Sequence, residues 1–209
     1  MPRALVGLLL ALALAGCQAP GAADRLSRLR PPPDPTDGLA SIPPCPSGMV
    51  AELNTGVRVA FAGAVAEHPE TCLRRINGQT YHYYLGFCGD GTFAGGSPAE
   101  RMAIRRVLTG PVGTAASAPL ADAGPLALWH SVTFIHVGDP TLTLDGVRHP
   151  TLLLRVERHT DAGRLVHTDT LWWLDRATLI PLQREEVVPM AHGSEHQLAW
   201  RVSALAAAE

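Results

Sequence analysis

The residues best suited to chemistry are a histidine–glutamate run, two groups of carboxylates and an aromatic set. His192-Gly193-Ser194-Glu195-His196 fits the letters H-x-x-E-H. On a helix those letters put two imidazoles on one face, around a zinc ion with the glutamate as base. Here the run follows Pro189, contains Gly193 and falls between two stretches with strand periodicity. A hairpin loop is therefore expected, and no metal site is assigned. His130 and His136 share a strand face but would stand ~20 Å apart at strand spacing, too far to share a metal. Glu185 and Glu186 are adjacent, so on a strand they face opposite sides and form no carboxylate pair. They and Glu157 are expected to meet Arg155, Arg158 and Arg184 as solvated cross-strand ion pairs. There is no Gly-x-Ser-x-Gly elbow, phosphate loop or dinucleotide fingerprint, and Gly89-Asp90-Gly91 is too short to serve as one. No catalytic, cofactor-binding or metal residue is expected, and the chain reads as a non-enzyme.

Trp172, Trp173 and Trp200, with Tyr81, Tyr83 and Tyr84, are the side chains most able to build an apolar ligand surface. Trp172 and Trp173 point to opposite faces of a strand, so one suffices for a core and the other is available to a groove or cavity. Aromatics at strand spacing serve a core more often than a ligand box. Of the four cysteines, Cys45, Cys72 and Cys88 allow one disulfide and one leftover thiol. A hairpin at Asn77-Gly78 would set Cys72 opposite Tyr83, which argues against a Cys72–Cys88 bond and leaves the pairing open.

The elements that must position these residues are mostly strands. Val57 to Val65, Cys72 to Ile76 and Thr80 to Phe87 have strand character, with His68-Pro69-Glu70 as a turn. Asn77-Gly78 suits the two positive φ values of a type I′ turn. Ser97-Pro98-Ala99-Glu100 is a helix start with a serine N-cap, proline at the first position and glutamate at the capping-box position. Met102, Ile104, Val107 and Leu108 would form its apolar side, and Gly110-Pro111 its stop. Ala115 to Pro125 reads as an exposed loop. Strands are then expected at Leu128 to Val137, Thr141 to Leu144, Thr151 to His159, Leu165 to Leu174, Ile180 to Val188 and Gln197 to Leu205. Short turns between successive strands imply an antiparallel meander, and no strand–helix alternation supports a parallel sheet.

The N-terminus carries an address. After Arg3, Ala4 to Ala15 is about a dozen apolar residues, short of the ~20 that cross a bilayer as a helix. Leu14-Ala15-Gly16-Cys17 closes that run and resembles the bacterial lipobox. The resemblance implies a signal peptide at residues 1–16 and a diacylglyceryl group on the Cys17 thiol. It also implies a fatty acyl chain such as palmitate on the new amino group. Each buried CH₂ contributes about 0.8 kcal/mol, so such an anchor holds firmly. Gln18, where the lipobox pattern places Asp for inner-membrane retention, implies the outer membrane facing the periplasm; the inner membrane is the alternative. Residues 17–47 are rich in Pro, Ala, Gly and Arg and read as a tether leading to one domain at 48–209. Net charge is -2 with charged residues at 17%, which gives no basic excess for nucleic acid.

Toward the C-terminus the strand Leu152 to Glu157, the run Leu171-Trp172-Trp173-Leu174-Asp175 and Ile180-Pro181-Leu182-Gln183-Arg184-Glu185 have a family cadence. It resembles that of uncharacterised DUF3108-like envelope proteins and is loosely similar to lipoprotein carriers of the LolA/LolB type. The resemblance implies a mainly β fold: a curled antiparallel meander, half-barrel or sandwich, around an apolar interior with one short packing helix. It transfers no catalytic residue. The expected function is a membrane-anchored module binding a lipid or other hydrophobic ligand, with Leu152, Leu154, Trp172 and Trp200 lining the site and no cofactor. The alternative is a structural or assembly lipoprotein that binds envelope proteins. A metal-dependent hydrolase ranks last, since it needs His192, Glu195 and His196 to converge.

Overall fold

A computed structural model describes residues 37–85, 87–88, 96–120, 130–160 and 169–208. The expected signal peptide, Cys17 and the first part of the tether lie outside the described residues. The first half holds β1 (Ser47–Leu53), β2 (Arg58–Val65), β3 (His68–Ile76), β4 (Gln79–Tyr84) and β5 (Phe87–Cys88). One helix follows, α1 (Pro98–Thr109). The second half holds β6 (Ala115–Pro119), β7 (Ser131–Gly138), β8 (Thr141–Leu144), β9 (Val147–His159), β10 (Asp169–Asp175), β11 (Pro181–Met190) and β12 (Gly193–Ala207).

The strands form one antiparallel sheet in the order β5-β4-β3-β2-β1-β12-β11-β10-β9-β7-β6, with β8 paired to β9 beside it. Each half is a meander, and the two halves join where β1 pairs with β12, Met49 opposite Ala207 through Leu53 opposite Val202. The edges, β5 and β6, are consecutive in the chain, and α1 belongs to the connection between them. The sheet stays open there and is not a closed barrel. It is curled: Val59 and Phe61 of β2 line the same cavity as Val132 and Phe134 of β7, although several strands separate them. The expected fold class is therefore what forms.

Local chemistry explains most of the turns. Asn77 and Gly78 have φ of 51° and 79°, and Asp145 and Gly146 have 47° and 77°. Both pairs close two-residue hairpins, Ile76 opposite Gln79 and Leu144 opposite Val147. The capping box of α1 is complete, with Ser97 N donating to Glu100 Oε2 at 2.7 Å and Glu100 N to Ser97 Oγ at 3.2 Å.

Several expectations are corrected. Residues 37–46 are packed rather than part of a free tether: Leu39 is buried, and its amide donates to Leu108 O at 2.8 Å. Gly38 lies so close to the end of α1 that a Cβ would stand 2.3 Å from the Thr109 carbonyl carbon, which leaves no room for a side chain. Residues 68–70 belong to β3, and the turn is at Ala66-Glu67; Pro69 sits at a register break, where a missing amide costs no ladder bond. Thr80 to Phe87 is not one strand, because Leu85 at φ 46° turns the chain back and sets Phe87 opposite Tyr84. Ala115 to Pro119 is an edge strand, with Ala118 buried beneath α1; small side chains let the helix approach. On α1 the buried stripe is Ala103, Ile104, Val107 and Leu108, at i, i+3 and i+4 spacing, while Met102 is 68% exposed.

The disulfide joins Cys45 to Cys72, with Cα atoms 5.3 Å apart. Cys72 lies opposite Tyr83 as the hairpin register requires, and Tyr83 in turn lies opposite Cys88, so a whole strand separates Cys72 from Cys88.

Candidate functional site: a cavity between two core clusters

The interior contains two apolar clusters. One packs Ala103, Ile104, Val107 and Leu108 of α1 against Phe134, Leu152, Leu154 and Leu174. The other gathers Ala51, Val59, Phe61, Tyr83, Ile180, Leu182 and Val202. Between them lies a cavity of about 430 Å³ whose wall is drawn from both clusters. Its apolar wall includes Val59, Phe61, Ile104, Phe134, Val156 and Trp172. That volume lies within the ~300–1,000 Å³ usual for small-molecule sites, and the mix of aromatic walls with few polar groups is also usual for them.

Register decides which residues reach it. Thr170 and Trp172 of β10 lie opposite Val156 and Leu154 of β9, and Phe134 of β7 lies opposite Val156, so all share the concave face. Trp172 meets Trp200 edge to face, ring centroids 5.9 Å apart at 79°. Its indole N–H donates to Thr170 Oγ1 at 2.9 Å, and the Arg184 guanidinium lies 5.4 Å from its ring centroid. A partly buried cation–π contact of this kind contributes about 0.5–2 kcal/mol and holds the indole in place.

The four residues expected to line a site therefore divide. Trp172 and Trp200 stand on the cavity wall. Leu152 and Leu154 lie on the same face of β9 but are fully buried under α1. Further along that face, Val156 and then Arg158 take the wall positions. Trp173, on the opposite face, is buried beside its strand neighbours Leu153 and Gln183.

The polar lining is mainly cationic: Arg74, Arg158 and Arg184, against one carboxylate, Glu100. Arg74 lies 5.9 Å from the Tyr83 ring centroid. The Glu100 carboxylate already accepts the Ser97 amide in the capping box. Behind the wall, Arg105 of α1 bonds Glu70. Hydrogen bonds to Tyr84 and then to Glu70 hold its guanidinium above the ordinary arginine value.

The other candidate groups have structural settings. His192 is in the β11–β12 turn, while Glu195 and His196 lie opposite Val188 and Val187 and so alternate faces. No cluster of His, Cys, Asp or Glu able to hold a metal occurs among the described residues. His136 is fully buried, with Nδ1 3.0 Å from Gly110 O and Nε2 2.9 Å from Asp139 Oδ1. It ties the end of α1 to the β7–β8 turn. Arg155 pairs with Glu157 and Asp169, Arg184 with Glu186 at 3.2 Å, and Glu185 with His196 at 3.5 Å.

No protein-family model matches the chain, and no curated protein sequence matches it. Among solved structures, the crystal structure of the hypothetical lipoprotein YmcC from Escherichia coli (K12) aligns with it at a TM-score of 0.45 and 15% identity. The alignment covers 80% of this chain and 92% of that one. A likeness of this size carries no argument about function.

Proposed function

We propose that the chain is a non-enzymatic lipoprotein of the bacterial envelope whose curled sheet holds one hydrophobic ligand. In this reading Cys17 carries the lipid anchor and the domain faces the periplasm from the outer membrane. The observation that carries the ligand-binding part is the cavity of about 430 Å³ between the two core clusters, walled by Val59, Phe61, Ile104, Phe134, Val156 and Trp172. The cavity is partly open to solvent, so its apolar wall stands against water that an apolar guest would displace, which is favourable in proportion to the apolar area covered. The address rests on Leu14-Ala15-Gly16-Cys17 after a short apolar run.

The test is a titration of the full chain carrying Cys17→Ala, which cannot take the anchor, with 1-dodecanol, read by tryptophan emission. A saturable change at one equivalent is expected, because Trp172 and Trp200 border the site. Val156→Trp, which fills the cavity, should abolish the change while the protein stays folded. Emission that does not respond to dodecanol would overturn the reading.

A second reading, an assembly lipoprotein that docks envelope proteins, is favoured by one observation. The outer parts of β11 and β12 expose Met190 (55%), at the tip beyond the end of β10, and Leu198 (50%), opposite Glu185 on the other face. Met190→Ser and Leu198→Ser should then remove cross-links to envelope partners and leave dodecanol binding intact.

A further inference from the structure

We infer that the cavity takes a single-chain amphiphile with an anionic head, the chain lying on the apolar wall and the head met by the lining arginines. The inference rests on the reading above that the cavity holds an apolar ligand. Three observations carry it. First, the polar part of the lining is three arginines against one glutamate, in a chain whose net charge is -2. Glu100 is engaged in its capping box and Arg184 bonds Glu186 at 3.2 Å, so the side chains that border the cavity itself are more cationic than anionic. Second, Arg184 on β11 lies opposite Trp172 of β10, and Arg158 on β9 lies opposite Val132 of β7, two residues beyond Val156 on the same concave face. Both arginines are half-buried, so their stems cover apolar wall. Third, Nε of Arg184 is buried with no hydrogen-bond acceptor among the described residues, although the side chain already bonds Glu186 through Nη2. A guanidinium presents five donors in a planar fork suited to carboxylate or phosphate oxygens, and the free Nε–H is the donor such an oxygen would take.

The chemistry shared by the two obvious heads, a carboxylate and a phosphate monoester, is a compact anion on one alkyl chain. Dodecanoate, dodecyl phosphate, 1-dodecanol and dodecyltrimethylammonium should be titrated separately into the full chain carrying Cys17→Ala, below their aggregation concentrations. At least one anion should bind about tenfold or more tightly than dodecanol, the fold-change expected of a charge-assisted hydrogen bond, and the ammonium should bind most weakly. The tighter anion names the head. Arg158→Met and Arg184→Met keep the apolar stems. One or both should bring anion affinity down to the affinity of the same variant for dodecanol, with circular dichroism checking that the variant is folded. Equal affinity for dodecanol and both anions would overturn this inference and leave the apolar site standing. Binding of no probe at all would overturn both.

Discussion

Asp175 shows how much structure one side chain can fix. Its Oδ1 accepts from Ala177 N at 3.1 Å, Thr178 N at 2.9 Å and Thr178 Oγ1 at 2.8 Å, and its Oδ2 lies 3.3 Å from His149 Nδ1. These bonds shape the turn in which Leu179 takes φ of 56° and which aligns β11 against β10. The aspartate that ends the Leu-Trp-Trp-Leu-Asp run is thus a turn residue. Asp175→Ala leaves the part-buried amides of Ala177 and Thr178 without their acceptor and should cost about 1–2 kcal/mol. Urea unfolding checks it, with the midpoint lowered and the slope unchanged. The neighbouring Arg176 reaches Asp139 at 3.0 Å and the carbonyls of Asp37 and Gly38, tying the start of the folded chain to the same corner.

At the scale of the element, α1 matters most, because Glu100 and Ile104 put it on the cavity wall while Val107 and Leu108 seat it in the core. Ser97→Ala removes half of the capping box and should lower stability by about 1 kcal/mol, measured as a fall in the thermal midpoint. The start of this helix and the Asn77-Gly78 hairpin were legible in the sequence because each is specified by residues a few positions apart. The register of that hairpin, which sets Cys72 opposite Tyr83, was legible for the same reason. The strand at Ala115 to Pro119 was not, since its small residues acquire strand character only from pairing with β7 under a helix. Residues 37–46 are proline-rich and read as a tether. Their packing depends on the distant end of α1 and on the bond from Cys45 to Cys72.

For the whole molecule, the joining of the first strand to the last makes two meanders one curled sheet, and the disulfide fastens the entering chain to it. Cys45 and Cys72 are 27 residues apart, so opening that loop should cost about 3–4 kcal/mol if denatured-chain entropy dominates. Reduction should lower the denaturation midpoint correspondingly without abolishing the sheet signal in circular dichroism. The cavity itself is a property of this scale. The alternation Leu152, Leu154, Val156 marks the concave face of β9; all three are buried in the cluster that α1 completes, and of the three Val156 borders the cavity. Trp172 and Trp200 lie on the wall, while Leu152 and Leu154 do not. Arg155 and Arg184 had read as solvated ion-pair partners, and both are paired, but Arg184 also borders the cavity, as Arg158 does.

The central claim is that this interior holds a hydrophobic guest, and native mass spectrometry of the Cys17→Ala chain, exported with an ordinary signal and purified without detergent, tests it most directly. The account predicts a discrete adduct of lipid-like mass at one per chain, lost on organic extraction and absent from Val156→Trp. A bare polypeptide mass, in a preparation that also fails to take up added dodecanol or dodecanoate, would contradict it.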